Sequence, residues 1–278
     1  MTLPLALSIL EQGPSDDGAR WLAEQMARPA TELRAALPVI LPGLARRVGR
    51  EGLAGQVELA GAWADLSAWR RCDAAGLRVL AAADPVPDPA IVDLFLRGDL
   101  EERTILLRSA TLRPLSDATS RLLDEVQRSN IVAHLEAGAL DSNLLARSLD
   151  GGLLSRDRFD RLVLKAAFND LPLARMHGVA SRPGPELSRM LQGLATEREA
   201  AGRSVWRDTC RLTAGAPVPG TVARVLGDLE HGDAGRRLAA AEALLILRRP
   251  DLAAFARERL AREDKPDVRR ALERALAS

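Results

Sequence analysis

Tyrosine is absent from this 278-residue chain, and aromatic residues supply only 3% of it. Proteins that hold single-stranded nucleic acid stack bases on aromatic rings, so that class of partner is not expected. Net charge is nearly as scarce. Lys and Arg number 39 against 38 Asp and Glu, which leaves +1, too little for broad neutralisation of a phosphate backbone. The two cysteines, Cys72 and Cys210, stand far apart without a Cys-x-x-Cys pattern. That excludes a disulfide framework and a cysteine zinc site, and two small buried thiols in a reduced compartment are expected. No uncharged apolar run approaches the roughly 20 residues that span a bilayer. The opening Met1-Thr2-Leu3-Pro4-Leu5 is mildly apolar but has no basic start or cleavage site, and Glu11, Asp16 and Asp17 follow closely. It does not read as a signal peptide. A cytoplasmic protein without direct membrane insertion is expected.

Motifs of familiar chemistry are missing too. No H-E-x-x-H, nucleophile elbow, phosphate-cradling loop or dinucleotide fingerprint occurs. His134-Leu135-Glu136 starts like a deaminase motif, but no Pro-Cys-x-x-Cys follows. His134 reads as a helix residue, His177 as a loop residue, and His231 as the end of a helix, where the dipole favours a histidine. No catalytic residue, metal ligand or cofactor is assigned.

What remains is helix. Apolar residues make up 47% and charged residues 28%, as in folded globular proteins. Between Pro185 and Gly202, Leu187, Met190, Leu191, Leu194 and Ala195 form one stripe at helical spacing. Gly202 suits the stop. Ser116 can cap a helix that places Ala118, Leu122 and Val126 on one face. Strand signals are nearly absent, and no Asn-Gly hairpin appears. Near the end, Gly232-Asp233-Ala234-Gly235-Arg236-Arg237 and Lys265-Pro266-Asp267-Val268-Arg269-Arg270 each lead into Ala- and Leu-rich helix. Arg236 and Arg269 are thus separated by a helical-hairpin repeat length, with an Asp near each helix start. These features predict an all-α chain, an irregular α-solenoid of stacked helical hairpins of HEAT or armadillo type. One domain over residues 1–278 is expected, with 221–278 its most HEAT-like part. The turn-rich Ala83-Asp84-Pro85-Val86-Pro87-Asp88-Pro89 separates helices rather than domains.

Lysine occurs only at Lys165 and Lys265. Lys165 interrupts the apolar stretch from Leu162 to Phe168, where an ammonium must find a partner, reach solvent or shift its pKa. It is a site candidate; a stem packed along the core with its head in water is the plainer alternative. Arg128-Ser129-Asn130 puts donors at a helical junction, which either read an anion or cap the junction. Arg46-Arg47-Val48-Gly49-Arg50 is an anion candidate or ordinary surface charge.

Several passages together resemble the EboA family. They are Leu44 to Arg50; Trp63 and Trp69 with Asp73-Ala74-Ala75 and Arg78; Phe95 to Leu100 with Leu107-Arg108; Arg128-Ser129-Asn130; and Val163-Leu164-Lys165-Ala166-Ala167-Phe168. Pro185 to Leu191 and Glu197 to Trp206, which includes Ala201-Gly202-Arg203, complete the series. The resemblance runs in order from about residue 30 to 250. An asparagine-proline-tyrosine stretch of the family is replaced around Leu140-Asp141-Ser142-Asn143, and Phe159-Asp160-Arg161 replaces a tryptophan-asparagine-glutamine run. The family consists of small helical proteins encoded with a prenyltransferase-like membrane protein and described as metabolite-traffic proteins. The resemblance implies a non-enzymatic accessory protein that moves a lipid-like or aromatic precursor toward such a partner, peripheral to the inner membrane through it. Arg128, Asn130 and Lys165 are the expected ligand- or partner-binding cluster, with Arg47, Arg50 and Arg203 as secondary candidates. A lysine-dependent enzyme using Lys165 and a pure protein scaffold are the rival expectations.

Overall fold

The computed structural model describes residues 17–277; the opening stretch tested above for a signal peptide lies outside them. Regular structure among these residues is fifteen α-helices, some single turns of 3-10 helix and one two-stranded sheet. The all-α class is therefore correct. By their contacts the described residues divide into two compact units, 17–156 with 175–177, and 157–174 with 178–277.

The first unit runs α1 (Asp17–Met26), α2 (Ala30–Arg47), β1 (Gln56–Leu59), β2 (Ala62–Asp65), α3 (Arg71–Ala82), α4 (Asp88–Arg97), α5 (Leu100–Leu112), α6 (Asp117–Arg128), α7 (Val132–Ala139) and α8 (Leu144–Asp150). The hairpin corrects the expectation of a strand-free chain. Val57 pairs with Ala64 and Glu58 with Trp63, in antiparallel register. Its two-residue turn, Ala60-Gly61, takes positive φ at both positions, 51° and 80°. Such turns normally advertise themselves with Asn-Gly; here an alanine occupies the left-handed position, so the usual signal is absent.

Helix α5 is the centre of this unit. Asp99 Oδ1 accepts from the Glu102 N–H, and Glu102 Oε2 accepts from the Asp99 N–H, both at 2.9 Å, a reciprocal cap that fixes its start. From Thr104 to Leu112 every residue but Arg108 is buried. An all-round apolar helix belongs inside a core, and α5 packs against α2, α3, α4, α7, α8 and β2. The α3 contact is close: a Cβ placed on Gly76 would overlap Ile105 Cγ2. Pro114 ends the helix, because the residue before a proline is driven from helical to extended backbone. Arg113 accordingly adopts φ −85° and ψ 161°. Helix α6 then begins at Ser116, whose N–H donates to Thr119 Oγ1 at 3.3 Å. Its expected face of Ala118, Leu122 and Val126 is buried.

The second unit takes α9 (Arg156–Phe168) from Asp157 onward, then α10 (Pro185–Ala200), α11 (Thr209–Thr213), α12 (Thr221–Leu229), α13 (Ala234–Leu247), α14 (Ala253–Arg262) and α15 (Pro266–Ala277). Helix α13 packs against α11, α12 and α15 around Cys210, Val225, Ala240, Ala241, Val268 and Leu272. Asp233 caps α13 by accepting from the Arg236 N–H at 2.9 Å. Asp267 lies in the first turn of α15, as the repeat pattern predicts.

Candidate functional site

The residues singled out in the sequence lie in different parts of the chain. Lys165, in α9 of the second unit, is half-buried, and burial lowers its pKa. One turn on, Phe168 is exposed, with the Arg198 guanidinium 5.5 Å from its ring centre. Arg203 is exposed just past α10, and its N–H donates to Arg198 O at 2.8 Å.

Arg128 and Asn130 are exposed in the first unit. Arg128 pairs with Glu125 one turn back. Ser129, between them, makes the junction bonds: its Oγ accepts from the Ile131 N–H at 3.1 Å and lies 3.3 Å from His134 Nδ1. Arg47 is exposed at the end of α2, and exposed Arg50 lies 3.3 Å from Glu101.

A cavity of about 440 Å³ opens elsewhere in the first unit, among α3, α4, α5 and α6. That volume falls within the roughly 300–1,000 Å³ of small-molecule sites. Leu80, Ile91, Leu106, Ala110 and Leu122 form its apolar wall, and Asp84, Asp88, Arg113, Ser116 and Thr119 supply its polar groups. The fold explains the polar side. The turn that ends α3 carries Asp84, α4 starts at Asp88, and Pro114 throws Arg113 out of α5 just before α6 begins.

Arg113 has a side chain 18% exposed. Its Nη2 donates to Asp84 Oδ1 at 3.3 Å, and its Nη1 is buried without a hydrogen-bond partner among the described residues. Desolvation lowers its pKa, opposed by Asp84 and Asp88. A second, more open cavity of about 510 Å³ adjoins it, with Asp88 and Ala118 common to both and Val92, Leu96, Asp117 and Arg121 on its walls.

Other partly buried arginines are better matched. Arg70 reaches both oxygens of the fully buried Asp73 and both of Glu101. Arg175 holds Asp141 through two bonds of 2.9 and 2.7 Å and Glu136 through a third of 2.7 Å. These carboxylates raise the pKa of both arginines. In the second unit, Arg224 takes both oxygens of Glu199, at 2.9 and 3.1 Å, while Arg236 contacts Glu199 and Asp228. That cluster lines an open cavity of about 630 Å³ with His231. Among the described residues no group of His, Cys, Asp and Glu is arranged to hold a metal ion.

With this geometry in place, comparison with known families identifies one segment. Residues 86–214 match the model of a family described as metabolite traffic protein EboA. The EboA resemblance holds. The matched EboA segment is shorter than the span over which the motifs follow one another. It contains Arg128, Asn130, Lys165 and Arg203, whereas Arg47 and Arg50 precede it. It also contains most of the cavity, from Asp88 to Leu122, with Leu80, Ala81 and Asp84 just ahead of it. No curated protein and no solved structure matches the chain. Among the described residues no helix is long and apolar enough to cross a membrane.

Sequence reasoning missed the cavity. Asp84 sits in the proline-rich turn read only as a separator, and Arg113 is one arginine among many at a helix end. Their only distinguishing signal is the following proline in each case, Pro85 and Pro114, which marks a chain reversal but not that the two reversals meet.

Proposed function

We propose that this chain is a non-enzymatic accessory protein of the EboA type. It holds a small lipid-like or aromatic metabolite precursor and delivers it to a prenyltransferase-like membrane protein. The observation that carries this reading is the cavity within and beside the EboA segment: one wall of leucine and isoleucine, with polar groups at one side. Such a site suits a small molecule with an apolar body. Its groups bind and orient; the reading requires no bond making. The chain would work in the cytoplasm, reaching the inner membrane through its partner. Lys165 and exposed Phe168 on α9, with Arg203 beyond α10, would form a contact surface for that partner, and Arg128 with Asn130 a second one.

The test is purification of the tagged chain from the solubilised membranes of its own organism, beside a Lys165→Ala variant. The reading expects a prenyltransferase-like membrane protein with the parent chain and its loss from the variant, with the thermal midpoint retained. Recovery of the chain without that partner removes the delivery half of the proposal. A variant that merely unfolds makes Lys165 a structural residue.

A further inference from the structure

We infer that the cavity among α3, α4, α5 and α6 takes a ligand with an apolar body and a compact anionic head, a carboxylate or a phosphate monoester, and that Arg113 reads the head. The inference rests on the ligand-carrying half of the reading above and names the ligand class of that site.

A guanidinium has five N–H donors in a rigid fork suited to two-oxygen anions. Arg70 and Arg175 each have two carboxylates, and Arg224 has both oxygens of Glu199. Among the described residues Arg113 has one acceptor, a single oxygen of Asp84 at the long distance of 3.3 Å, and its Nη1 is buried without a partner. A buried donor without an acceptor is costly, and for a charged group more so. Arg113 thus stands on the wall of a ligand-sized cavity with unused hydrogen-bonding capacity.

The surroundings are mixed: Asp88 on the same wall opposes an anion, while the start of α6 favours one. The first turn of α6 borders the same space through Ser116, Ala118 and Thr119, and the start of a helix favours negative charge. Asp84, the present partner, is 62% exposed. It can swing into water when a ligand anion replaces it. In the same cavity Leu80, Leu106 and Leu122 offer surface that an apolar body would cover. The open cavity of the second unit is a weaker case: Arg236 Nε is also buried without a partner among the described residues, but Glu199 and Asp228 already neutralise Arg224 and Arg236.

The test is calorimetric titration of the full chain with octanoate, octyl phosphate and octanol. Both anions are expected to bind more tightly than the alcohol. Arg113→Met is expected to weaken the anions by about tenfold or more, as for loss of a charged hydrogen bond, and to leave octanol unchanged. Asp84→Asn, which frees the guanidinium, should tighten the anions alone. Because Arg113→Met could disturb the α5–α6 turn, Arg113→Lys is measured with it; it should bind the anions with intermediate affinity.

Preference for octanoate over octyl phosphate, or the reverse, identifies which head the site is shaped for. Equal binding of octanol and octanoate, no binding of any probe, or indifference of the anions to Arg113 and Asp84 would overturn the inference. Equal binding of alcohol and acid would still leave a carrier of neutral molecules, whereas absence of the membrane partner would leave the anion site intact.

Discussion

Arg237 grips Glu263 with two parallel hydrogen bonds, from Nε at 2.8 Å and Nη2 at 2.9 Å, in a part of the second unit where the Glu263 side chain is fully buried. Arg259 adds two more bonds to the same carboxylate, and the Asp264 and Lys265 N–H groups donate to its other oxygen. The pair ties the start of α13 to the end of α14. Removing the acid leaves a nearly buried guanidinium without its counter-charge, a loss of about 3–5 kcal/mol. Glu263→Ala is expected to lower the urea midpoint accordingly, and a change below 1 kcal/mol would contradict the role given to the pair.

The same carboxylate sets an acid limit. Arg237, chiefly, with the Lys265 N–H and Arg259, holds the Glu263 carboxyl far below the usual range. A depressed folded-state pKa contributes stability that is complete above the unfolded value of about 4.3 and is lost as pH falls below it. Denaturant titrations between pH 7 and pH 3 should show stability falling in the acid part of that range, with a shallower fall in Glu263→Gln.

Gly76 of α3 lies against Ile105 of α5, and a methyl group has no room between them. Gly76→Ala should destabilise the first unit by about 1–3 kcal/mol, as overpacking does, despite the better helix propensity of alanine. Gly76→Ala with Ile105→Val should recover part of the loss; if the double variant is no better, the two residues are not the pair in conflict.

Ala60 bears the opposite kind of strain. Its φ of 51° lies in the left-handed region, which costs an L-residue roughly 1–2 kcal/mol. Ala60→Gly should raise stability by roughly 0.5–1 kcal/mol after the entropy cost of glycine, measurable as a higher thermal midpoint. A lower midpoint would show that the hairpin does not use this turn.

Cys72 and Cys210 are both fully buried. Desolvation, reinforced by Asp73, pushes the Cys72 thiol up to about 11, and desolvation with Asp228 pushes Cys210 up as well. Since the thiolate is the reactive form, neither should react with a thiol reagent at pH 8 until the chain is unfolded. Rapid labelling of the native protein would place one of them nearer the surface.

The helices were legible in the sequence because they depend on local signals: the face of Ala118, Leu122 and Val126 behind Ser116, the stripe of Leu187, Leu191 and Ala195, and the stop at Gly202. The starts of α13 and α15 were legible as well, in Asp233 and Asp267. Arg237 and Arg269 each donate to two backbone carbonyls that precede their own helix. The hairpin was hidden by an alanine where asparagine is usual. The cavity was hidden for a deeper reason. Asp84 and Arg113 meet only because α5 packs against α3 and α4, and no short-range pattern records that. Sequence patterns drew attention to Arg128 and Arg50, whose charges are matched by Glu125 and Glu101; Arg113, with a spare donor on the cavity wall, carried no motif.

The central claim, that the first unit carries a small molecule among α3, α4, α5 and α6, is tested most directly by native mass spectrometry of the chain purified gently from its own cells. Ala110, on the cavity wall, is replaced by Trp in a parallel preparation to fill the space. The account predicts a bound small molecule on the parent chain, released on denaturation, and its absence from a folded Ala110→Trp variant. A parent chain at its bare mass, or an adduct that survives in the filled variant, would contradict it.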